Sequence, residues 1–185
     1  QEGEEELETR RDWVTTREFA KPPKIEHEKR PNVTARTVSV AIPLDDGREH
    51  PGKLFAYLPV WERTGLPFLV NADFLLVSSR QGIHEAEPWN RWLRDCIAPV
   101  YVEAFMAIVG NESLSIEQRV HAYASIPTQS HQQWLEPVVG EIQKHLGQEA
   151  CVLTSPNGAL AKPEFCRLPN SEWRELLETP DRRPA

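Results

Sequence analysis

From Thr37 to Ile42 the chain alternates. Thr37-Val38-Ser39-Val40-Ala41-Ile42 is rich in β-branched residues and puts an apolar side chain at every second position, the period of a half-buried strand. Asp45-Asp46-Gly47 carries turn chemistry. Lys53-Leu54-Phe55-Ala56-Tyr57-Leu58 reads as the next strand, stopped by Pro59, so the two runs predict a hairpin with a long loop. After a turn at Thr64-Gly65, the apolar run from Pro67 to Leu76 predicts a third strand, bent near Asn71.

Beyond Gly82 the period changes. Trp89, Trp92, Leu93, Cys96, Ile97, Val100, Tyr101, Phe105 and Ile108 recur mostly at steps of three and four, which predicts one buried helical stripe ending near Gly110. Pro99 lies inside that stripe and should kink or divide the helix. Ser115-Ile116-Glu117-Gln118 fits a capping box that opens a short helix to about Ile126, before Pro127. Ser130 to Gln133 fits the same pattern ahead of a helix carrying Trp134, Leu135, Val138, Val139, Ile142 and Leu146 and ending at Gly147. Ala150 to Thr154 and Ala159 to Phe165 are short strand candidates around a Pro156-Asn157-Gly158 turn, and Ser171 caps a last short helix with Trp173, Leu176 and Leu177. At the other end, Gln1 to Thr9 is acidic, Trp13, Val14 and Phe19 suggest a segment that docks on something, and Lys21 to Ile25 is extended by its prolines.

These elements predict an α/β (α+β) fold: a small mixed sheet with helices packed on it, followed by a smaller C-terminal α/β lobe. The expected division is an extended docking segment over 1–34, an α/β domain over 35–126, and a C-terminal lobe and tail over 127–185.

The 185 residues suffice for a real core, and 16 prolines imply many interrupted elements and much ordered loop. The net charge of −7 and the lack of a Lys/Arg run give no reason to expect nucleic-acid binding. Three dispersed cysteines, Cys96, Cys151 and Cys166, do not make a disulfide framework or a zinc site, so a reducing, cytoplasmic setting is expected, with the nucleus also open. No stretch approaches a membrane span, and no apolar signal region opens the chain. With no initiator Met, the chain reads as cut from something longer.

Little in the residues points to catalysis. There is no GxxxxGK loop and no GxGxxG, and the nine glycines are scattered singly. The six histidines form no short ligand spacing, so no metal is expected, and no nucleophile elbow occurs. Cys96 lies on the apolar helical stripe, which favours a core role. Trp61 and Tyr57 sit near strand ends, either facing a partner or covering the sheet edge. Arg80, in Ser78-Ser79-Arg80-Gln81-Gly82, follows an apolar strand in a loop, where a planar, always-charged guanidinium could hold phosphate. The residues by themselves favour a surface arginine paired with Glu85 or Glu87.

One block is more specific. Lys53-Leu54-Phe55, Leu58-Pro59, Thr64-Gly65-Leu66-Pro67, Val70-Asn71-Ala72-Asp73-Phe74, Ser78-Ser79-Arg80, Trp89-Asn90 and Ile97-Ala98-Pro99-Val100-Tyr101 resemble the sacsin-like, heat-shock-chaperone-like branch of the GHKL ATPases, in the segment that follows the ATP-binding domain. The resemblance covers about a quarter of the chain well. It implies a transducer-like α/β domain, itself non-catalytic, that couples the nucleotide state of a preceding ATP-binding domain to conformational change. It also implies that Ser79-Arg80 is the turn presenting an arginine to the γ-phosphate of ATP, although Gln81 stands where the chaperones usually carry an acid. The motifs that hold magnesium and ATP in that family are missing here, so both would lie in the preceding domain of the parent protein. Protein clients or partners, engaged through Trp61 and Tyr57, and a homodimer are compatible with this reading. The alternative is a protein–protein interaction module with no nucleotide-linked role.

Overall fold

A computed structural model of the chain describes residues 11–45, 52–78, 82–154 and 158–167. The protein is a mixed α/β fold. Its main sheet has five strands in the order β1-β2-β5-β3-β4: β1 Asp12–Ala20, β2 Ala35–Pro43, β3 Lys53–Ala56, β4 Leu58–Arg63 and β5 Leu69–Ala72. Neighbours run antiparallel except β3 and β5, which are parallel. Four helices follow: α1 Pro88–Asp95, α2 Ile97–Val109, α3 Ile116–His121 and α4 Glu136–Gln148. A separate hairpin, β6 Val152–Thr154 and β7 Ala159–Ala161, and a 3₁₀ turn over Pro163–Phe165 complete the described order.

The alternation read in β2 is what builds the core. Val38, Val40 and Ile42 are fully buried on one side, against α2, while the Ser39 hydroxyl on the other side meets that of Thr16 at 2.8 Å. Helix α2 answers with Ile97, Val100, Tyr101, Ala104, Phe105 and Ile108, all buried. Val138, Val139, Ile142 and Leu146 of α4 join the same apolar cluster, and α4 packs on α2.

Trp13 and Phe19, read from the sequence as part of an extended docking segment, lie in a nine-residue edge strand paired throughout with β2. Three sequence expectations are corrected by the strand arrangement. The expected hairpin of β2 with β3 does not form, because β5 lies between them and Val70 pairs with both Val40 and Leu54. The hairpin is instead β3 with β4, reversing at Tyr57, and Pro59 sits within β4. That is tolerated because β4 is the sheet edge, where a missing N–H need not cost a ladder bond. The third strand spans only Leu69–Ala72 and leaves the ladder at Asp73.

The helical expectations hold with shifted boundaries. The long stripe divides at Cys96, whose N–H donates to the Trp92 and Leu93 carbonyls, each at 3.2 Å. Pro99 thus falls in the first turn of α2, where backbone N–H groups have no intrahelical partner to lose. The capping box at Ser115 is present: its hydroxyl accepts from the Gln118 N–H at 3.2 Å, and the Gln118 side chain accepts from the Ser115 N–H at 3.0 Å. No box forms at Ser130. Its hydroxyl donates to the Thr64 carbonyl at 2.8 Å, and a 3₁₀ turn over Gln133–Leu135 leads into α4, which continues past Gly147 to Gln148. The strand expected over 159–165 stops at Ala161. The Asp46-Gly47 part of the first turn and the helix expected after Ser171 lie outside the described residues.

Candidate functional site

The β3–β4 reversal is unusual for its residue. Tyr57 sits at φ 65°, left-handed backbone that costs a residue with a Cβ about 1 kcal/mol or more. Its N–H is held by the Asn71 side-chain oxygen at 3.2 Å. The turn pushes three large side chains into solvent: Tyr57 is 77% exposed, Leu58 64% and Trp61 85%. They form one wall of a cleft of about 530 Å³, floored by Asp73, Phe74, Leu75 and Leu76 and rimmed by Lys29 and Arg30. The two aromatic residues singled out from the sequence therefore share one site.

The floor rests on a charge cluster that sequence reasoning missed. Asp73 is 5% exposed and takes a bidentate contact from Arg30, Nε at 2.8 Å and Nη2 at 2.6 Å, and a third bond from Arg36 Nε at 2.7 Å. Burial alone would push the Asp73 carboxyl up, but the hydrogen bonds and charges of Arg30 and Arg36 outweigh it and hold the group below its usual range. The same bonds raise Arg30. All three groups are charged at neutral pH, with one net positive charge. Arg36 also lies over the Trp89 ring, 5.6 Å from its centre. One signal for this cluster was in the sequence: an acid inside the apolar run from Phe68 to Leu76 needs cationic partners if buried. The partners could not be read, because Arg30 and Arg36 lie far away along the chain.

Trp89 and Asn90, read from the sequence as part of a block, act together on the backbone that follows β5. The Trp89 indole N–H donates to the Asp73 carbonyl at 2.8 Å. Asn90 is fully buried; its oxygen accepts from the Leu75 N–H at 2.8 Å and its nitrogen donates to the carbonyls of Leu75 and His84, each at 2.9 Å. Leu76 bridges Ile83, and the Val77 N–H donates to the Gly82 carbonyl at 3.0 Å. The stem of a loop is thus fixed from α1. On its other side the Glu62 side chain reaches over from β4, so that a Cβ on Gly82 would lie 2.4 Å from its carboxylate. Ser79 and Arg80, the residues expected to sense phosphate, lie outside the described residues.

The Thr64-Gly65-Leu66-Pro67 turn is also a packing device. Gly65 has φ 73°, and a Cβ there would come within 2.6 Å of the His131 ring. The Thr64 hydroxyl donates to the Gly52 carbonyl at 2.8 Å, and its own carbonyl accepts from the His131 N–H at 2.9 Å. Cys96 is buried, and burial together with nearby Asp95 pushes its thiol up to about 11, which leaves it unreactive at neutral pH. Among the described residues no group of three or more His, Cys, Asp or Glu could hold a metal ion, and no helix is long and apolar enough to cross a membrane.

A mixed α/β segment with a pinned loop stem and a solvent-facing aromatic cleft is the class of protein that fold and site define. Comparison with known proteins adds two relatives. The chain is similar to Protein NO VEIN of Arabidopsis thaliana, 34% identical over 92 residues, which is 48% of this chain and 3% of that protein. It is similar to Sacsin of Homo sapiens, 32% identical over 62 residues, 34% of this chain and 1% of that protein. The matched stretches are thus a very small part of both relatives. No family model matches the chain, and no solved structure matches it.

Proposed function

We propose that this chain is a non-catalytic middle segment of a sacsin-like, chaperone-related ATPase, coupling the nucleotide state of a preceding ATP-binding domain to conformational change. Magnesium and ATP would be held by that preceding domain, and the parent protein would work inside the cell. The observation that carries the reading is the fixed backbone at Leu75 and His84, on either side of Ser79 and Arg80 in the sequence. Backbone on both flanks of those residues is bonded to buried Asn90, at Leu75 and His84. A phosphate-sensing arginine needs such rigid mounting, because charge stabilisation in a transition state depends on preorganised position. The similarity to Sacsin and Protein NO VEIN supports the same family setting.

The test is ATP turnover by the longer parent protein, wild type against Arg80→Ala. Loss of about tenfold or more with nucleotide binding intact, equivalent to roughly 1.4 kcal/mol of transition-state stabilisation, is the expected result. An unchanged rate removes Arg80 from the chemistry. It would leave the second reading, a protein-interaction module, which the exposed Tyr57, Leu58 and Trp61 favour.

A further inference from the structure

We propose that the cleft between Trp61, Tyr57 and Lys29 binds an extended, acidic stretch of a partner protein that carries an apolar side chain. The proposal stands apart from nucleotide coupling and does not use Arg80.

Four features of the cleft converge on this occupant. First, Tyr57, Leu58 and Trp61 are each more than half exposed within five positions of the chain, a density that no other stretch of the described residues reaches. Second, the backbone at Tyr57 is held in a left-handed conformation that glycine would adopt without cost, yet the residue there is a tyrosine with its ring in solvent. Third, β4 is the edge of the sheet. Its far end is covered, since the Gln132 side-chain amide donates to the Arg63 carbonyl at 3.2 Å and to the Glu62 carboxylate at 3.4 Å. Among the described residues no strand covers its near end, Leu58 to Trp61, and Pro59 withholds one donor there. An extended segment laid along a sheet edge gains backbone hydrogen bonds and places alternate side chains against the apolar wall. Fourth, the rim is positive on an acidic protein. Arg30 and Arg36 share Asp73, leaving one positive charge, and the exposed Lys29 ammonium has no carboxylate partner among the described residues. Glu62, the acid on β4, is directed towards Gly82 and Gln132. Aromatic and basic groups also suit single-stranded nucleic acid, but the net charge of −7 opposes a polyanion and the sheet edge offers it nothing.

The probe is a fluorescein-labelled peptide, Glu-Leu-Glu-Phe-Glu-Leu-Glu, titrated with the chain and read by anisotropy. Its counterpart with lysine for every glutamate, and a labelled oligothymidylate, are titrated beside it. The acidic peptide should bind, and Trp61→Ala should weaken it about tenfold or more, as loss of an aromatic anchor does. Lys29→Glu should weaken it severalfold and make binding less sensitive to salt. Both side chains are exposed, so unchanged circular dichroism and melting temperature will separate loss of binding from loss of fold. Failure of the acidic peptide to bind, equal binding of the lysine peptide, or affinity indifferent to Trp61→Ala would each overturn the proposal. Preferential binding of oligothymidylate that Trp61→Ala abolishes would reassign the cleft and overturn it too. Neither result bears on Arg80→Ala turnover, so the two readings fail separately.

Discussion

Asp73 ties the loop after β1 to the end of β5. With its carboxylate removed, Arg30 and Arg36 would keep their charges beside each other at a partly buried position. The cost of breaking a buried pair from one side comes mainly from the charge left behind. Both arginines are more than a quarter exposed, so Asp73→Asn should lose about 3 kcal/mol, the lower end of that range, measured by urea unfolding. The pH dependence has a definite sign. The folded carboxyl is held below its ordinary value, so its stabilisation is fully present above the unfolded value, about 4, and is lost as pH falls through the lower folded value. Wild type should therefore lose a component of stability below about pH 4 that Asp73→Asn lacks. At this scale the sequence was partly legible. It exposed Cys96 as a core residue and picked out Tyr57 and Trp61. It hid the partners of Asp73 and Asn90, because buried polar groups are defined by neighbours that the fold, not the local pattern, brings near.

Among elements, helices were the more legible. A step of three or four is a local property, so the stripe of α1 and α2 and the Ser115 box could be read in place. Strand order is not local. Nothing in the alternation of β2, β3 and β5 says that β5 slots between the other two. Ser130 shows a related limit: its capping pattern is genuine as chemistry, but Thr64, brought close by the fold, takes the hydroxyl. The helix–loop joint at Asn90 gives a prediction of its own. Asn90→Ala would leave the buried Leu75 N–H unsatisfied, at about 1–3 kcal/mol, while the Leu75 and His84 carbonyls keep the N–H groups of His84 and Glu87. The Leu75 amide should then exchange with deuterium faster relative to Val40, whose pairing lies in the middle of the sheet. Equal acceleration at both amides would mean that the whole domain had loosened and that Asn90 does not act on the loop in particular.

At the scale of the whole molecule, the strands, helices and loop stem meet in one way that bears on function. Helix α1 is packed against α2 and α4, and the Asn90 side chain ties it to the backbone at Leu75 and His84, the described positions on either side of Arg80 in the sequence. A coupling role would use this connection in both directions, since a state that holds Arg80 in place must also favour one position of α1. The consequence is measurable in the parent protein. If Arg80 acts on ATP only when the stem is fixed, Asn90→Ala should itself lower turnover about threefold to tenfold, with nucleotide affinity unchanged. In an Arg80→Ala background the same change should do little, because the group it positions is gone. Such non-additivity is the signature of two residues acting as one unit. Full additivity in the double variant would show that Asn90 supports the fold without serving Arg80, and the coupling would then have to run through some other contact of the segment.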